Sequence, residues 1–198
     1  MQVLKLIQQQ NFSLPFKLGS EIGFGGADGQ VFELLDDNKK VIKLSVLYQD
    51  FDYYIKYKTN KDIINYLINN NIPSFAKIFE SQFLGEYSRV LFDNTEQKYT
   101  LYYYILEKLN KISEDEVKVF HSVLDSDPLP ILKIEGILKK MDGYLDFSKE
   151  KIMIFCENVR DAPIKHLDLH PRNIMKDNQG NFRLIDFDRC KFKEINER

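Results

Sequence analysis

The segment from His166 to Asn173 concentrates the side chains of this chain that could carry out chemistry. It reads His-Leu-Asp-Leu-His-Pro-Arg-Asn. Asp168 could accept a proton from a hydroxyl nucleophile, and the side-chain oxygen of Asn173 could bind a hard cation. His166, Asp168 and His170 could instead suggest a transition-metal site, but alternating positions on an extended segment would need further ligands.

A glycine-rich segment near the N-terminus could bind a phosphate. Residues 22–31 read Ile-Gly-Phe-Gly-Gly-Ala-Asp-Gly-Gln-Val and lie between two predicted strands. Glycines let the backbone bend tightly and bring free N–H groups close to a phosphate. A dinucleotide-binding loop should open a helix, whereas this one continues as a strand, and no Walker A sequence is present. A flexible hairpin is the alternative interpretation.

Two charged residues adjoin apolar strand residues. Lys43 follows Val41 and Ile42, so it lies either at a sheet edge or in a site. Asp186 follows Leu184 and Ile185 and lies either where a strand ends at a cleft or in a turn. Neither residue alone indicates a function.

Apolar periodicity and turn residues predict the elements that must position these groups. The predicted strands cover residues 16–24, 30–35, 40–46, 76–92 and 99–107, with a helix over about 50–71 that Pro73 ends. After Leu109 the predicted helices cover about 113–125, 130–142 and 148–160, followed by a short hairpin. Ser113 and the acidic residues after it are typical of a helix start. This order predicts two lobes with a hinge near 107–110.

Composition limits the classes of partner. The chain has 198 residues and a net charge of −2, without the basic excess of a sequence-independent nucleic-acid binder. No apolar window is long enough for a membrane span, and the N-terminus has no secretory pattern. Cys156 and Cys190 belong to no metal-spaced cluster, as expected in a reducing compartment. We therefore expect a protein of the cytoplasm, of the producing cell or of a host cell, without nucleic-acid or membrane partners.

In chain order, these segments resemble the protein-kinase-like superfamily over residues 16–190. The shared pattern is a glycine-rich loop between strands, V-x-K, a helix, an apolar strand, helices, H-x-D-x-x-x-x-N and D-F-x after a hairpin. The resemblance implies an α+β, bilobal fold. Its N-lobe (1–108) would be a small antiparallel sheet with one helix, and its C-lobe (109–198) would be helical and reduced. Only twelve residues follow Asp186, so we expect no activation segment and a truncated C-lobe.

The resemblance also implies roles for individual residues. Asp168 would orient and deprotonate the acceptor hydroxyl, Asn173 and Asp186 would hold Mg²⁺, and His166 would support the loop. Lys43 would hold the α- and β-phosphates of ATP and so join Asp168 as a catalytic residue. The implied nucleotide-binding residues are Gly23, Gly25, Gly26, Gly29, Val31, Lys43 and Glu107.

Three departures from the family pattern bear on these roles. The glycine loop is one residue longer than the family's, so the geometry of its tip differs. The helix after Lys43 lacks a glutamate, which makes Asp62 the best candidate for the partner of the lysine and Asp52 a weaker one. The D-F-G triplet has become Asp186-Phe187-Asp188, which removes the backbone freedom of glycine.

The resulting functional hypothesis is a minimal, monomeric kinase that uses ATP and Mg²⁺ to phosphorylate a protein Ser or Thr hydroxyl. One alternative is a small-molecule kinase of the aminoglycoside phosphotransferase type, because the catalytic loop of those enzymes often reads H-x-D-L-H-P-x-N. The other is a pseudokinase that binds without transfer. An acidic pocket near Asp168 would suit a cationic small molecule, and an open, flat groove would suit a protein loop.

Overall fold

The computed structural model of the chain describes residues 3–22, 29–49, 53–90, 94, 96–124 and 146–194. Backbone contacts divide the chain into two units. The first contains residues 1–69 and 77–108, and the second contains residues 70–76 and 109–198. The helix predicted over 130–142 lies outside the described residues.

An antiparallel five-stranded sheet is the centre of the first unit, which confirms the predicted α+β class. In the order β1-β2-β3-β5-β4, its strands are Leu18–Glu21, Gly29–Leu34, Lys40–Gln49, Glu96–Glu107 and Ile78–Val90. Strand β3 pairs along its whole length with β5, so that Lys43 lies opposite Tyr104. On its other side Lys43 lies opposite Val31 of β2. Side chains alternate between the two faces of a sheet, so this register fixes which residues share a face.

The first unit contains two described helices rather than the single one expected. Helix α1 (Val3–Gln9) buries Val3, Leu6 and Ile7 against the face of the sheet that carries Ile42 and Leu44. Helix α2 (Tyr53–Asn69) packs on β3 and β4. The expectation of one helix was wrong because a seven-residue helix shows its apolar spacing only once and depends on tertiary packing for its stability.

The second unit combines helices with two small sheets. Helices α3 (Glu114–Leu124) and α4 (Asp146–Asp161) correspond to those predicted over 113–125 and 148–160. The strands are β6 (Asn110–Lys111), β7 (Ile164–His166), β8 (Ile174–Lys176), β9 (Phe182–Leu184) and β10 (Cys190–Phe192), in the sheets β6-β8-β9 and β7-β10. No helix among the described residues has the length and hydrophobicity needed to cross a membrane.

The start of α3 is held by both local and distant contacts. The Glu116 carboxylate accepts hydrogen bonds from the backbone N–H of Ser113 at 2.8 Å and from its hydroxyl at 3.0 Å, as in a capping box. Glu116 is buried, and its second partner is the Lys176 ammonium at 2.8 Å. This ion pair joins α3 to strand β8, which directly follows the His166–Asn173 segment.

The segment of residues 70–76 follows α2 in the chain but belongs to the second unit. The N–H of Leu184 donates to the Ser74 carbonyl at 2.7 Å, and the N–H of Ala76 donates to the Leu184 carbonyl at 2.9 Å. The Asn158 amide of α4 donates to the Ser74 hydroxyl at 3.0 Å. Residues 74–76 therefore lie along β9 like a short additional strand.

Candidate active site

His166 connects the candidate catalytic loop, residues 166–173, to the backbone just before Asp186. It is buried at the end of β7, where Nδ1 accepts a hydrogen bond from the Asp168 N–H at 3.2 Å. Since Nδ1 accepts, the proton is on Nε2, which donates to the Ile185 carbonyl at 3.0 Å. Burial lowers the pKa of His166, so the neutral ring is the stable form. His166 is thus suited to hold the loop rather than to transfer a proton.

This lowered pKa predicts a pH dependence of stability. The unfolded chain binds a proton at position 166 below about pH 6.5, and the folded chain does so only at lower pH. The free energy of unfolding should therefore fall as the pH drops below about 6.5, by up to about 1.4 kcal/mol per pH unit, until the folded pKa is reached. Urea unfolding of wild type and His166→Asn between pH 5 and 8 measures this slope, with exposed His121→Gln as the matched control. Equal slopes for wild type and His166→Asn would contradict the assignment.

Asn173 joins the loop to the strand that leads to Asp186. Its side-chain Nδ2 donates to the Asp168 carbonyl at 2.9 Å, and its own carbonyl accepts from the Ile185 N–H at 2.8 Å. The Oδ1 atom makes no hydrogen bond with the described residues. Nδ2 also lies 3.2 Å from Nε2 of His170, whose Nδ1 lies 3.1 Å from the Arg172 N–H. A neutral imidazole has one lone pair, so His170 can accept only one of these two bonds at a time.

Asp186 has an unusual backbone conformation. Its φ of 63° and ψ of 74° lie in the left-handed region, which non-glycine residues seldom adopt but Asp and Asn tolerate best. The next residue, Phe187, is buried and stacks on Phe75, with ring centroids 6.1 Å apart. This anchor holds the strained residue in place. Such conformations cluster at functional sites.

The donor set of Asn173 and Asp186 fits Mg²⁺. One amide oxygen and one carboxylate are hard ligands, and Mg²⁺ is usually held by one or two carboxylates, with waters and substrate phosphates completing its shell. The described residues contain no group of three or more His, Cys, Asp or Glu side chains that could hold a metal ion.

Arg189 is a neighbour of Asp168 that no sequence motif indicates. Its Nη1 atom lies 3.9 Å from Asp168 Oδ2, and His170 Nε2 lies 3.7 Å from the same oxygen. The position of Arg189 depends on the pairing of β7 with β10, which begins where the Leu167 N–H donates to the Arg189 carbonyl at 2.7 Å. No local pattern signals this contact, because it follows from strand pairing.

In the first unit, Gly29, Val31 and Lys43 share one face of the sheet. Val31 and Lys43 are directly opposite each other in the register, and this face is the one that α1 does not cover. Lys43 is 8% exposed, and its ammonium lies 5.7 Å from the centroid of the Tyr104 ring. Gly23, Gly25 and Gly26 lie outside the described residues.

Gly29 is required by close approach rather than by backbone conformation. A Cβ at this position would lie 2.8 Å from the Leu44 carbonyl oxygen and 2.9 Å from Cε of Lys43. Because the backbone cannot yield, Gly29→Ala should lower the free energy of unfolding by about 1–3 kcal/mol. It should also displace the Lys43 stem and weaken the binding of an ATP analogue. Calorimetric titration and urea unfolding measure both effects.

Gly19→Ala is the matched control for this change. The two closest contacts of a Cβ there would be with side chains, Glu33 Cβ and Leu35 Cδ2, both at 3.1 Å, and Leu35 is exposed and can move. The Glu33 carbonyl oxygen would lie at 3.5 Å, an ordinary contact distance. We expect a loss of stability below about 1 kcal/mol and unchanged nucleotide binding. Equal effects of the two alanines would contradict the close-approach explanation.

Glu107 ends β5 and is tied to the start of β4. Its carboxylate accepts from the Lys77 N–H at 2.9 Å, and its own N–H donates to the Lys77 carbonyl at 3.0 Å. The next residue, Lys108, donates its N–H to the Lys39 carbonyl at 2.8 Å. The Glu107 side chain is therefore engaged in holding the strand ends together.

The expected pairing of Lys43 with Asp62 is not present. Asp62 is exposed on α2, whereas Lys43 is buried in the sheet. Asp52, the weaker candidate, lies outside the described residues. A buried polar residue on this helix is Asn60, whose Nδ2 lies 3.2 Å from the Tyr102 hydroxyl. Two residues correspond to about 200° around a helix, so Asn60 and Asp62 lie on opposite faces. The helix thus presents an amide, not a carboxylate, to the sheet.

Comparisons with known proteins agree with this architecture at the level of the fold. No protein-family model matches the chain, and no curated protein matches it. Among solved structures, it is similar to the ROP18 kinase domain in complex with AMP-PNP and sucrose, with a TM-score of 0.50 and 15% sequence identity. The match covers 89% of this chain and 52% of that one, so the chain spans about half the length of that kinase domain. The chain therefore has a protein-kinase-like fold.

Proposed function

We propose that the chain is a phosphotransferase that uses ATP and Mg²⁺ to phosphorylate a protein Ser or Thr hydroxyl. The observation that carries this proposal is the arrangement around Asn173. Its Nδ2 is bound to the Asp168 carbonyl at 2.9 Å, which leaves Oδ1 as a cation ligand beside the proton acceptor Asp168. Its carbonyl holds Ile185 at 2.8 Å, directly before Asp186.

The proposed reaction assigns one task to each of these residues. Asp168 takes the proton of the acceptor hydroxyl while the hydroxyl oxygen attacks the γ-phosphorus of ATP. The bond from that phosphorus to the β–γ bridging oxygen breaks, and ADP leaves. Lys43 binds the phosphates, and Asn173 and Asp186 would hold Mg²⁺, which when bound neutralises charge on the phosphate oxygens. Phosphoryl transfer requires mainly such positioning and charge neutralisation.

The fold match supports a nucleotide as the phosphate donor. The ROP18 kinase domain, a protein with this fold, is described in complex with AMP-PNP, an ATP analogue. The present chain spans about half of that domain, so its acceptor has to be proposed from its own residues.

The charges near Asp168 favour a protein acceptor over a polycationic small molecule. Arg189 Nη1 lies 3.9 Å and His170 Nε2 lies 3.7 Å from its carboxylate oxygen Oδ2. Lys165 and Lys191 lie opposite each other on the neighbouring strands β7 and β10. A cationic acceptor would be repelled by the guanidinium of Arg189 and by these two lysines on the strands that position it. The small-molecule alternative is retained because the Leu169-His170-Pro171 sequence favours it.

The test is a transfer assay in which the acceptor need not be known. Purified protein is incubated with γ-labelled ATP, Mg²⁺ and a cell lysate, which is then separated into protein and small-molecule fractions. We expect label in the protein fraction, on Ser or Thr. Label only in the small-molecule fraction would replace the proposed acceptor with a metabolite. Nucleotide binding without label in either fraction would indicate a pseudokinase.

A further inference from the structure

The two-stranded sheet of β7 and β10 has one buried face and one charged face. Its register places Cys190 opposite His166 and Lys191 opposite Lys165, and side chains alternate between the two faces along each strand. Cys190 and His166 are buried. Lys165 and Lys191 therefore lie together on the opposite face, where both are half-buried.

This charged face continues to the candidate catalytic loop. The Leu167 N–H donates to the Arg189 carbonyl at 2.7 Å, which extends the antiparallel pairing by one residue. By the same alternation, Arg189 lies on the side of Lys165 and Lys191, and it is exposed. Its Nη1 atom reaches to 3.9 Å from Asp168 Oδ2. We call the side chains of Lys165, Arg189 and Lys191 the basic face, and one end of this face lies beside the proposed base.

The charges of the basic face are arranged unfavourably for the sheet itself. Like charges directly opposite each other destabilise a strand pair, as Lys165 and Lys191 do here, whereas opposite charges stabilise it. Arg189 adds a third positive charge two residues before Lys191, which is about 7 Å along a strand. Carboxylates bound across this face would offset the repulsion, so the face is complementary to an acidic segment.

We propose that the basic face binds acidic residues of the protein acceptor, about two to four positions from the Ser or Thr that is phosphorylated. This proposal deepens the proposed function and rests on it, since it takes Asp168 as the group that contacts the acceptor hydroxyl. An extended acceptor segment that follows the sheet from Asp168 advances about 3.3 Å per residue, so its side chains reach Lys191 and Lys165 within a few residues. The substrate class is therefore a Ser or Thr flanked by Asp or Glu.

The test uses three synthetic peptides with one central serine. They carry Glu, Ala or Lys at the second to fourth positions on both sides of it, so that either chain direction is covered. With γ-labelled ATP and Mg²⁺, wild type should phosphorylate the Glu peptide with a kcat/KM about tenfold above that of the Lys peptide, with the Ala peptide between them. Because salt screens exposed charges, this preference should shrink several-fold when the NaCl concentration is raised from about 50 to about 500 mM.

Lys191→Glu is the variant that neutralises the basic face. The introduced carboxylate lies opposite Lys165, so the change creates an opposite-charge pair and should not lower the melting temperature. We expect KM for the Glu peptide to rise about tenfold, kcat to stay within about twofold, and the preference for Glu over Lys to be lost. A residue that only supports the fold would not change this preference.

Lys111→Glu is the matched control. Lys111 is exposed on β6, and its substitution changes the net charge of the chain by the same amount. The Lys111→Glu variant should keep the wild-type preference among the three peptides. If Lys191→Glu does not fold, Lys191→Gln replaces it and should lower the preference for the Glu peptide about threefold.

The results that would overturn the proposal are distinct from a failure of the proposed function. Label in lysate proteins, without a preference of the wild type for the Glu peptide, would overturn this proposal and leave the proposed function standing. A wild-type preference in Lys191→Glu, or in Lys191→Gln where that variant is used, would also overturn it, because the basic face would then not select the acceptor. If wild type labels no peptide and no lysate protein, the proposed function and this inference fail together.

Discussion

An Asp168→Asn variant should lose phosphoryl transfer by about 10³-fold or more while binding AMP-PNP with nearly wild-type affinity. The amide has the size of the carboxylate but cannot take the proton of the acceptor hydroxyl, and a general base typically contributes 10²- to 10⁴-fold. The backbone of Asp168, which accepts from Asn173 and donates to His166, is unchanged by this substitution. Initial rates with γ-labelled ATP and calorimetric titration with AMP-PNP separate the chemical step from binding.

Asp161→Asn is the matched control for this variant. Asp161 is exposed at the end of α4, and its ion pair is with the adjacent Arg160 at 2.6 Å. The phosphoryl-transfer rate of Asp161→Asn should stay within about twofold of the wild-type rate, as for most surface substitutions. A transfer rate in Asp168→Asn as high as that of the control would remove Asp168 from the reaction.

An Asp186→Asn variant should bind AMP-PNP about 100-fold more weakly than wild type when Mg²⁺ is present. Asparagine tolerates the left-handed conformation of residue 186, so the change removes a cation ligand's charge without adding backbone strain. The lost charge weakens the binding of Mg²⁺, and the nucleotide loses affinity with it because Mg²⁺ contacts its phosphates. In EDTA, where no cation bridges protein and phosphates, the two proteins should bind the nucleotide about equally weakly.

Asp188→Asn, two residues further along, is the control. Asp188 lies in the turn of Phe187–Arg189 and has no role in the proposed reaction. The affinity of Asp188→Asn for AMP-PNP should depend on Mg²⁺ as that of wild type does. If Asp186→Asn and wild type show the same Mg²⁺ dependence, Asp186 is not a cation ligand.

Strands and helices whose apolar periodicity lies within one short segment could be predicted from the sequence. The apolar run around Lys43 predicted a strand over 40–46, and β3 covers Lys40–Gln49. The spacing of Ile63, Ile64 and Leu67 predicted the helix that becomes α2, where all three are buried. In each case one face of one element is apolar, so the periodicity is present in the chain itself.

Features that depend on pairing between distant segments were not predictable in this way. The choice of Asp62 as the lysine's partner used residue type alone, whereas the orientation of α2 decides that Asn60 faces the sheet. Likewise, Arg189 reaches Asp168 through the register of β7 with β10, and Gln30 reaches Leu4 only once α1 is docked. Position on a helix face and strand register are properties of the assembled unit.

The position of residues 70–76 in the second unit affects how the chain folds during synthesis and where it can be cut into separate parts. It leaves the ribosome long before Leu184, the residue of β9 with which Ser74 and Ala76 form their hydrogen bonds. Domains generally fold in the order of synthesis, so the first unit can assemble while this segment still lacks its partners. A protein cut after Lys108 would also separate 70–76 from β9 and leave the backbone groups of Leu184 without their partners. Unpaired strand edges of this kind promote aggregation, so we expect each half expressed alone to be poorly soluble and co-expression of the two halves to restore solubility.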